Sequence, residues 1–406
     1  MKRKQTFYCF NVLMLLCCIV SCASIKEPGE CAVSGDPFME VTASNAQIVI
    51  FDELSPIPAH FMDMPGVEIL PHLKMAIISY DEKIYEMLLS EPTVINVVPD
   101  LTINATSQSV ISSEKNDEEK ASWGVDRVRA PVLWKMGYRG AGVRVAVLDT
   151  GVLPNFPDLG IRVVKAKNFT SSESDNWIDE TGHGTSVASM IAAEENGEFI
   201  RGVAPEVALF VAKVLDKNSW GADSFFVRAI DWAIENDVRI ANMSLGQYQG
   251  HEVLDRAVTR AMNQGMLIVA AAGNDGNPDC RGSNVWSPAK HPSVMAVSAL
   301  DTDDTIADFS SHGPEVDIAA PGENVGDIST VKPLIYGISG GTSYAAPHVS
   351  GVAALLLSAD ASLTSYQLFN ILIFSAEDLG DTGKDNFYGN GVVNAQNALI
   401  YMKGNK

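Results

Sequence analysis

Five apolar runs constrain this chain most: VRVAVLD (143–149), ALFVAKVL (208–215), VRIANMSL (238–245), MLIVAAAG (266–273) and VMAVSAL (294–300). A half-exposed strand would alternate apolar with polar residues, whereas near-continuous β-branched runs of this length suit strands buried on both faces. Between them lie stretches with helical spacing, SVASMIAA, FFVRAIDWAIEN and LDRAVTRAMNQG. Strands interleaved with helices predict an α/β fold, a parallel central sheet with helices on both faces. In such sheets functional sites gather at the carboxyl ends of the strands.

The 406 residues, 46% of them hydrophobic, are enough for more than one folding unit. From about Ala46 to Asn104 the pattern is AQIVIF, VEIL, KMAIISY, a short helix KIYEMLL and then TVINVVP, which predicts a small α+β unit. The polar stretch SQSVISSEKNDEEK after it reads as an exposed linker. The expected division is therefore a leader over 1–22, a small α+β domain within 23–106, a linker over 107–118 and the α/β unit over 119–406. No internal repeat interrupts it.

A formal charge of −21 argues against a nucleic-acid partner, because phosphate binding needs clustered Lys and Arg. The first residues, MKRKQTFYCFNVLMLLCCIVSCASIK, give a basic start, an apolar run and small residues, the form of an export signal. That run falls short of the roughly 20 residues a membrane helix requires. Ile19-Val20-Ser21-Cys22 also resembles a bacterial lipobox, which would leave a lipid on Cys22 as a membrane tether; ordinary cleavage near Ser21-Cys22-Ala23 is the alternative. The expected location is outside the cytoplasm, secreted or lipid-anchored. Cys31 and Cys280, the two cysteines beyond the leader, do not make a disulfide framework. A monomer is expected.

Asp149 closes the run VRVAVLD and so projects from a strand end as Asp-Thr-Gly. A second DTG begins at Asp381, which raises the possibility of an aspartic dyad. No apolar strand precedes Asp381, however, and a dyad needs two carboxylates held equivalently, so the second copy reads as a surface turn. His183 stands at the start of a helical pattern in GHGTSVAS. Ser343 lies at the entrance to the apolar helix of GTSYAAPHVSG, where Pro347 is expected in the first turn. Backbone N–H groups at such an entrance point at the serine and could hold an oxyanion. Asn274 follows a buried strand in AAAGNDG.

Taken together, VAVLDTGV, GHGTSVAS, AAAGNDG and GTSYAAPHVSG resemble the four signature blocks of the subtilisin-like serine proteases, in that family's Asp, His, Ser order. The likeness runs from Ser122-Trp123-Gly124 to YGNGVVNAQNAL. The stretch NFTSSESDNWIDETGHGTSVASMIAA is also weakly similar to the membrane-associated site-1 protease branch. The resemblance implies a serine endopeptidase acting on protein or peptide substrates; a catalytically silent, peptide-binding relative of the same fold is the alternative. It implies a catalytic set of Asp149, His183 and Ser343 with Asn274 in the oxyanion hole, and Ser244, Leu245 and Gly246 as the strand that pairs with substrate. It further implies a structural Ca²⁺ held by Asp158 and Asn196, with Glu119 nearby. The small domain, above all SEPTVINVVPD, resembles the family's propeptide and so implies an intramolecular inhibitor. Gln247 departs from the family's usual glycine, and bulky Trp286, in a stretch resembling a wall of the S1 pocket, implies that this pocket is restricted.

Overall fold

The structure is a computed structural model that describes residues 46–104, 123–171, 175–195, 201–276, 282–329 and 335–404. The leader with Cys22, the linker over 107–118, the start of the large unit at 119 and Asn196 lie outside the described residues.

In the small unit β1 (Ala46–Phe51), α1 (Ala59–Met62), β2 (Val67–Leu70), β3 (Met75–Ser79), α2 (Glu82–Ser90) and β4 (Val94–Pro99) follow one another. The strands form one antiparallel sheet in the order β2-β3-β1-β4. Alternate residues of β1 serve different cores. Val49 and Phe51 pack with Phe61, Ile78 and Leu88 beside the two helices. Ile48 and Ile50 join Met75 and Ile77 in a core shared with the large unit. Burial of both faces is the physical reason the run Ile48 to Phe51 is apolar throughout. Helix α2 begins at Asp81, whose side chain accepts from the N–H groups of Lys83 and Ile84, satisfying two donors that have no partner inside the helix.

The chain then adds β5 (Thr102–Asn104), α3 (Trp123–Arg127), α4 (Ala130–Trp134), β6 (Arg144–Asp149), β7 (Val163–Asn168), α5 (His183–Ala192), β8 (Ala208–Lys213), β9 (Trp220–Ala222) and α6 (Asp223–Glu235). The remaining elements are β10 (Ile240–Met243), α7 (Glu252–Asn263), β11 (Leu267–Ala271), β12 (Val294–Leu300), β13 (Ile318–Pro321), β14 (Val325–Ser329), β15 (Ile335–Ser339), α8 (Thr342–Ala359), α9 (Ser365–Phe374) and α10 (Ala395–Gly404). Seven strands form a sheet in the order β13-β12-β11-β10-β6-β8-β7. All of its pairings are parallel. One face is covered by a core that includes Val187, Ile191, Val349, Val352 and Leu356 from α5 and α8. The other carries Phe226, Ile230, Val253 and Val258 from α6 and α7. This is the subtilisin-like α/β arrangement. β6 lies between β8 and β10, so the chain moves to opposite sides of β6 as it proceeds, and the crevice at this switch opens beyond the carboxyl ends of the strands.

The small unit docks on α6, α7 and the edge strand β9. Thr102–Asn104 pairs antiparallel with Trp220–Ala222. Arg228 meets Glu68 at 2.7 Å, and Arg260 Nε donates to the His72 carbonyl at 2.9 Å. The Asp100 carboxylate accepts from the N–H of Ser224 at 2.9 Å, in the first turn of α6. Asp231 accepts from the Leu73 N–H at 3.2 Å. Burial at this junction pushes the Asp231 carboxyl up to about 6, against the opposing pull of the His72 imidazole. Nearby, His251 Nδ1 lies 2.8 Å from Asp223 Oδ2, a buried pair away from Ser343.

Candidate active site

Asp149 is the last residue of β6 and is fully buried. Its Oδ1 lies 2.7 Å from His183 Nδ1 and accepts from the Thr150 N–H at 2.7 Å. An ionised carboxylate can only accept, so beside one the ring carries its proton on Nδ1 and presents the Nε2 lone pair.

His183 is the first residue of α5, and two glycines allow it to sit there. Gly182 takes φ 101°, a left-handed conformation that side chains resist. Gly184 lies against the Gly151 backbone so closely that an added Cβ would be 2.2 Å from the Gly151 carbonyl oxygen. The helix entrance is fixed by Asp179, a residue the sequence reading did not single out. Its Oδ1 accepts from the N–H groups of Thr181 and Gly182, both at 2.9 Å, and from Thr150 Oγ1 at 2.9 Å. Its Oδ2 accepts from the Thr185 N–H at 2.9 Å and from Thr185 Oγ1 at 2.7 Å. The available signal was Asp four residues before His in DETGH, the spacing of a carboxylate that turns back onto a helix start.

Lys213, also not singled out, pairs in register with Asp149 and donates from Nζ to the Thr150 carbonyl at 2.6 Å. Burial pushes its ammonium below the usual lysine range, while Asp179, Glu180, Asp216 and Asp149 pull the other way. It supplies positive charge behind two buried carboxylates.

Ser343 is the second residue of α8, so its N–H belongs to the first turn, where donors have no partner inside the helix. Its Oγ donates to the Ser244 carbonyl at 3.1 Å, and Ser244 Oγ donates to the Ser343 carbonyl at 2.6 Å. The expectation that Pro347 lies in the first turn is corrected here: α8 starts at Thr342, which puts Pro347 inside the helix. The missing Pro347 N–H would have been the donor to the Ser343 carbonyl. The Ser244 hydroxyl takes its place, so the proline is tolerated because a neighbouring strand supplies the bond.

Asn274 follows β11 and is oriented by Thr342, whose N–H and hydroxyl both donate to Oδ1 at 2.9 Å. A backbone N–H can only donate, so the atom facing it must be oxygen, and the amide NH₂ is left for the other side. His183, Asn274, Ser343, Ser244 and Leu245 line one crevice. Gly246, next in the chain, lies against Trp286, which lines the same crevice. The Asp, His, Asn, Ser and strand residues picked from the sequence thus meet at one place. Asp381 instead sits in an exposed turn, where its N–H donates to Asp385.

Asp158 is fully buried, and its carbonyl accepts from the Glu194 N–H at 3.0 Å. A buried carboxylate has the hard oxygen donors a Ca²⁺ takes, and Asn196, the other expected ligand, lies outside the described residues. Among the described residues no three His, Cys, Asp or Glu side chains converge as a metal site.

Residues 140–391 match the model of the subtilase family of peptidases. Subtilisin E of Bacillus subtilis (strain 168) is 38% identical over 327 residues, covering 80% of this chain and 81% of the relative. Subtilisin of Bacillus pumilus is 40% identical over 280 residues, covering 69% of this chain and 99% of the relative. Alkaline elastase YaB of Bacillus sp. (strain YaB) is 42% identical over 286 residues, covering 70% and 72%. With the parallel sheet and the crevice at its switch point, these likenesses lead to one conclusion: the chain belongs to the subtilase family and is a serine endopeptidase of the subtilisin type.

Proposed function

We propose that Asp149, His183 and Ser343 act as a catalytic triad, with Asn274 and the Ser343 N–H as the oxyanion hole. The observation that carries this reading is the 2.7 Å contact of His183 with buried Asp149 beside the crevice that Ser343 and Asn274 also line. Turning the Ser343 hydroxyl from the Ser244 carbonyl toward the imidazole would set up the proton transfer. His183 Nε2 then takes the proton as Oγ bonds to the scissile carbonyl carbon, and the carbonyl electron pair moves onto oxygen. Two donors receive that charge: the backbone N–H of Ser343 and the amide of Asn274. Asp149 stabilises the imidazolium and keeps the ring in its tautomer. Collapse expels the amine, which takes the proton from Nε2, and water repeats the sequence on the acyl-enzyme.

Ser244, Leu245 and Gly246 would pair with the substrate backbone as an added strand. The small unit would act as propeptide: β5 occupies the edge strand β9, and the four-stranded sheet covers α6 and α7. Asp158 and Asn196 would hold a Ca²⁺ that ties down their loops and takes no part in the chemistry. The leader over 1–22 would export the chain, with Cys22 as a lipid tether. No helix among the described residues is long and apolar enough to cross a membrane.

A fluorophosphonate probe tests the central claim. Adduct mass on the peptide containing Ser343, abolished in Ser343→Ala, is expected. An active protein labelled elsewhere, or unlabelled, overturns the assignment.

A further inference from the structure

We propose that Trp286, pinned by Asp275, fills the pocket for the residue whose carbonyl Ser343 attacks (P1), so that the enzyme cleaves after small residues such as glycine, alanine, serine or threonine. This deepens the hydrolytic reading above and rests on it.

The crevice beside Ser343 runs between two chain segments, with Ser244 and Leu245 on one side and Ala271 and Gly273 on the other. Trp286 is stitched to both. Its N–H donates to the Ala272 carbonyl at 2.8 Å, while Ser287 and Gln247 exchange two backbone bonds at 2.8 and 2.9 Å. The indole occupies the space that the two glycines leave. A Cβ added to Gly273 would stand 2.7 Å from Trp286 Cγ, and one added to Gly246 would stand 3.2 Å from its Cβ. Indole Nε1 donates to Asp275 Oδ2 at 2.7 Å. Asp275 is itself held, its N–H donating to Ser311 Oγ at 3.2 Å and its carbonyl accepting from Asn284 Nδ2 at 2.5 Å.

The crevice that reaches from His183 and Ser343 to Trp286 encloses only about 10 Å³, room for about one water molecule. A methyl or hydroxymethyl group can use such a space; a phenyl ring cannot enter unless the indole leaves. Swinging it out would break the bond to Asp275 and expose a side chain that is now 7% accessible.

The chain's own sequence agrees. Asn104, the last residue of β5, pairs with Trp220, next to Ser219 on the crevice wall. The residues that follow it are Ala105, Thr106 and Ser107, all small.

The test uses the full chain, allowed to mature, on fluorogenic peptides that differ only at P1. Alanine is expected to exceed phenylalanine in kcat/KM by at least tenfold. Trp286→Gly should invert that order, and Asp275→Ala, which keeps the ring but removes its anchor, should narrow it. The mature N-terminus, read by mass spectrometry, should follow Ala105, Thr106 or Ser107. Phenylalanine cleaved as well as alanine by the unaltered chain, or a cut after a large residue, overturns the proposal, while fluorophosphonate labelling of Ser343 shows separately whether hydrolysis stands.

A readout free of catalysis covers a Trp286→Gly protein that fails to fold and a chain that fails to hydrolyse. In Ser343→Ala protein, phenylalanine is placed in turn at 105, 106 and 107. At one of these positions it should lower the melting temperature, and an added Trp286→Ala should lessen that loss. No lowering at any of the three overturns the proposal.

Discussion

Asp179→Asn probes how the helix that carries His183 is held. The carboxylate accepts on both oxygens, and asparagine must turn an NH₂ toward one set of donors. Facing Thr185 is the cheaper choice, because the Thr185 hydroxyl can rotate to accept, whereas the other orientation faces the N–H groups of both Thr181 and Gly182. Even so, the buried Thr185 N–H loses its acceptor, a cost of about 1 to 3 kcal/mol. Removing negative charge from a helix N-terminus adds about 0.3 to 1 kcal/mol. Together these give roughly 1 to 4 kcal/mol, enough to shift a urea midpoint clearly. The assay is urea unfolding in a Ser343→Ala background, which removes self-digestion. In the active protein the same substitution should lower kcat more than it changes KM, because it would tilt the ring proposed to receive the serine proton. A loss below about 0.5 kcal/mol, the range of an ordinary surface change, would refute the claim that this carboxylate sets the helix entrance.

Asn274→Leu should lower kcat by about 10² to 10³ with little change in KM, a magnitude borrowed from subtilisin itself; an unchanged kcat in steady-state assays would remove Asn274 from the oxyanion hole. His348, fully buried with Nδ1 2.8 Å from the Tyr344 carbonyl, is pushed by burial down to about 4. Its contribution is fully present above the unfolded histidine value near 6.5 and is lost as pH falls through about 4, roughly 3 kcal/mol in all. His348→Asn should flatten the acid limb of a stability–pH curve over that window, and an unchanged limb would count against it. Asp231 has the opposite sign: its raised value favours the docked small unit below about 4, and that advantage is gone above about 6. Release of the small unit, followed as recovery of peptide hydrolysis, should therefore become easier as pH rises through this range, and Asp231→Asn should remove the dependence.

Much of the fold was legible because the physics is local. The five continuous runs became β6, β8, β10, β11 and β12, all with buried neighbours on both faces. The edge strands were not read: β7, VVKAKN, keeps charges on its open side, and β13, IAAP, is short and made of small residues. The four motif residues were found because each sits at a strand end or helix start, where glycine and small residues mark the spot. Asp179 and Lys213 escaped because their importance lies in contacts across the sheet edge, to Thr150 in both cases. Pro347 was misplaced for a related reason, since the bond that excuses it comes from Ser244, 99 positions away from the carbonyl it serves.

That bond has a mechanical consequence. Ser244 grips the first turn of α8 through its hydroxyl and receives the Ser343 hydroxyl through its carbonyl, while its neighbours Leu245 and Gly246 would be zipped to an incoming peptide. Under the proposed mechanism, docking a polypeptide there would tug on the latch that parks the Ser343 hydroxyl. Occupancy and readiness would then be geared to one residue.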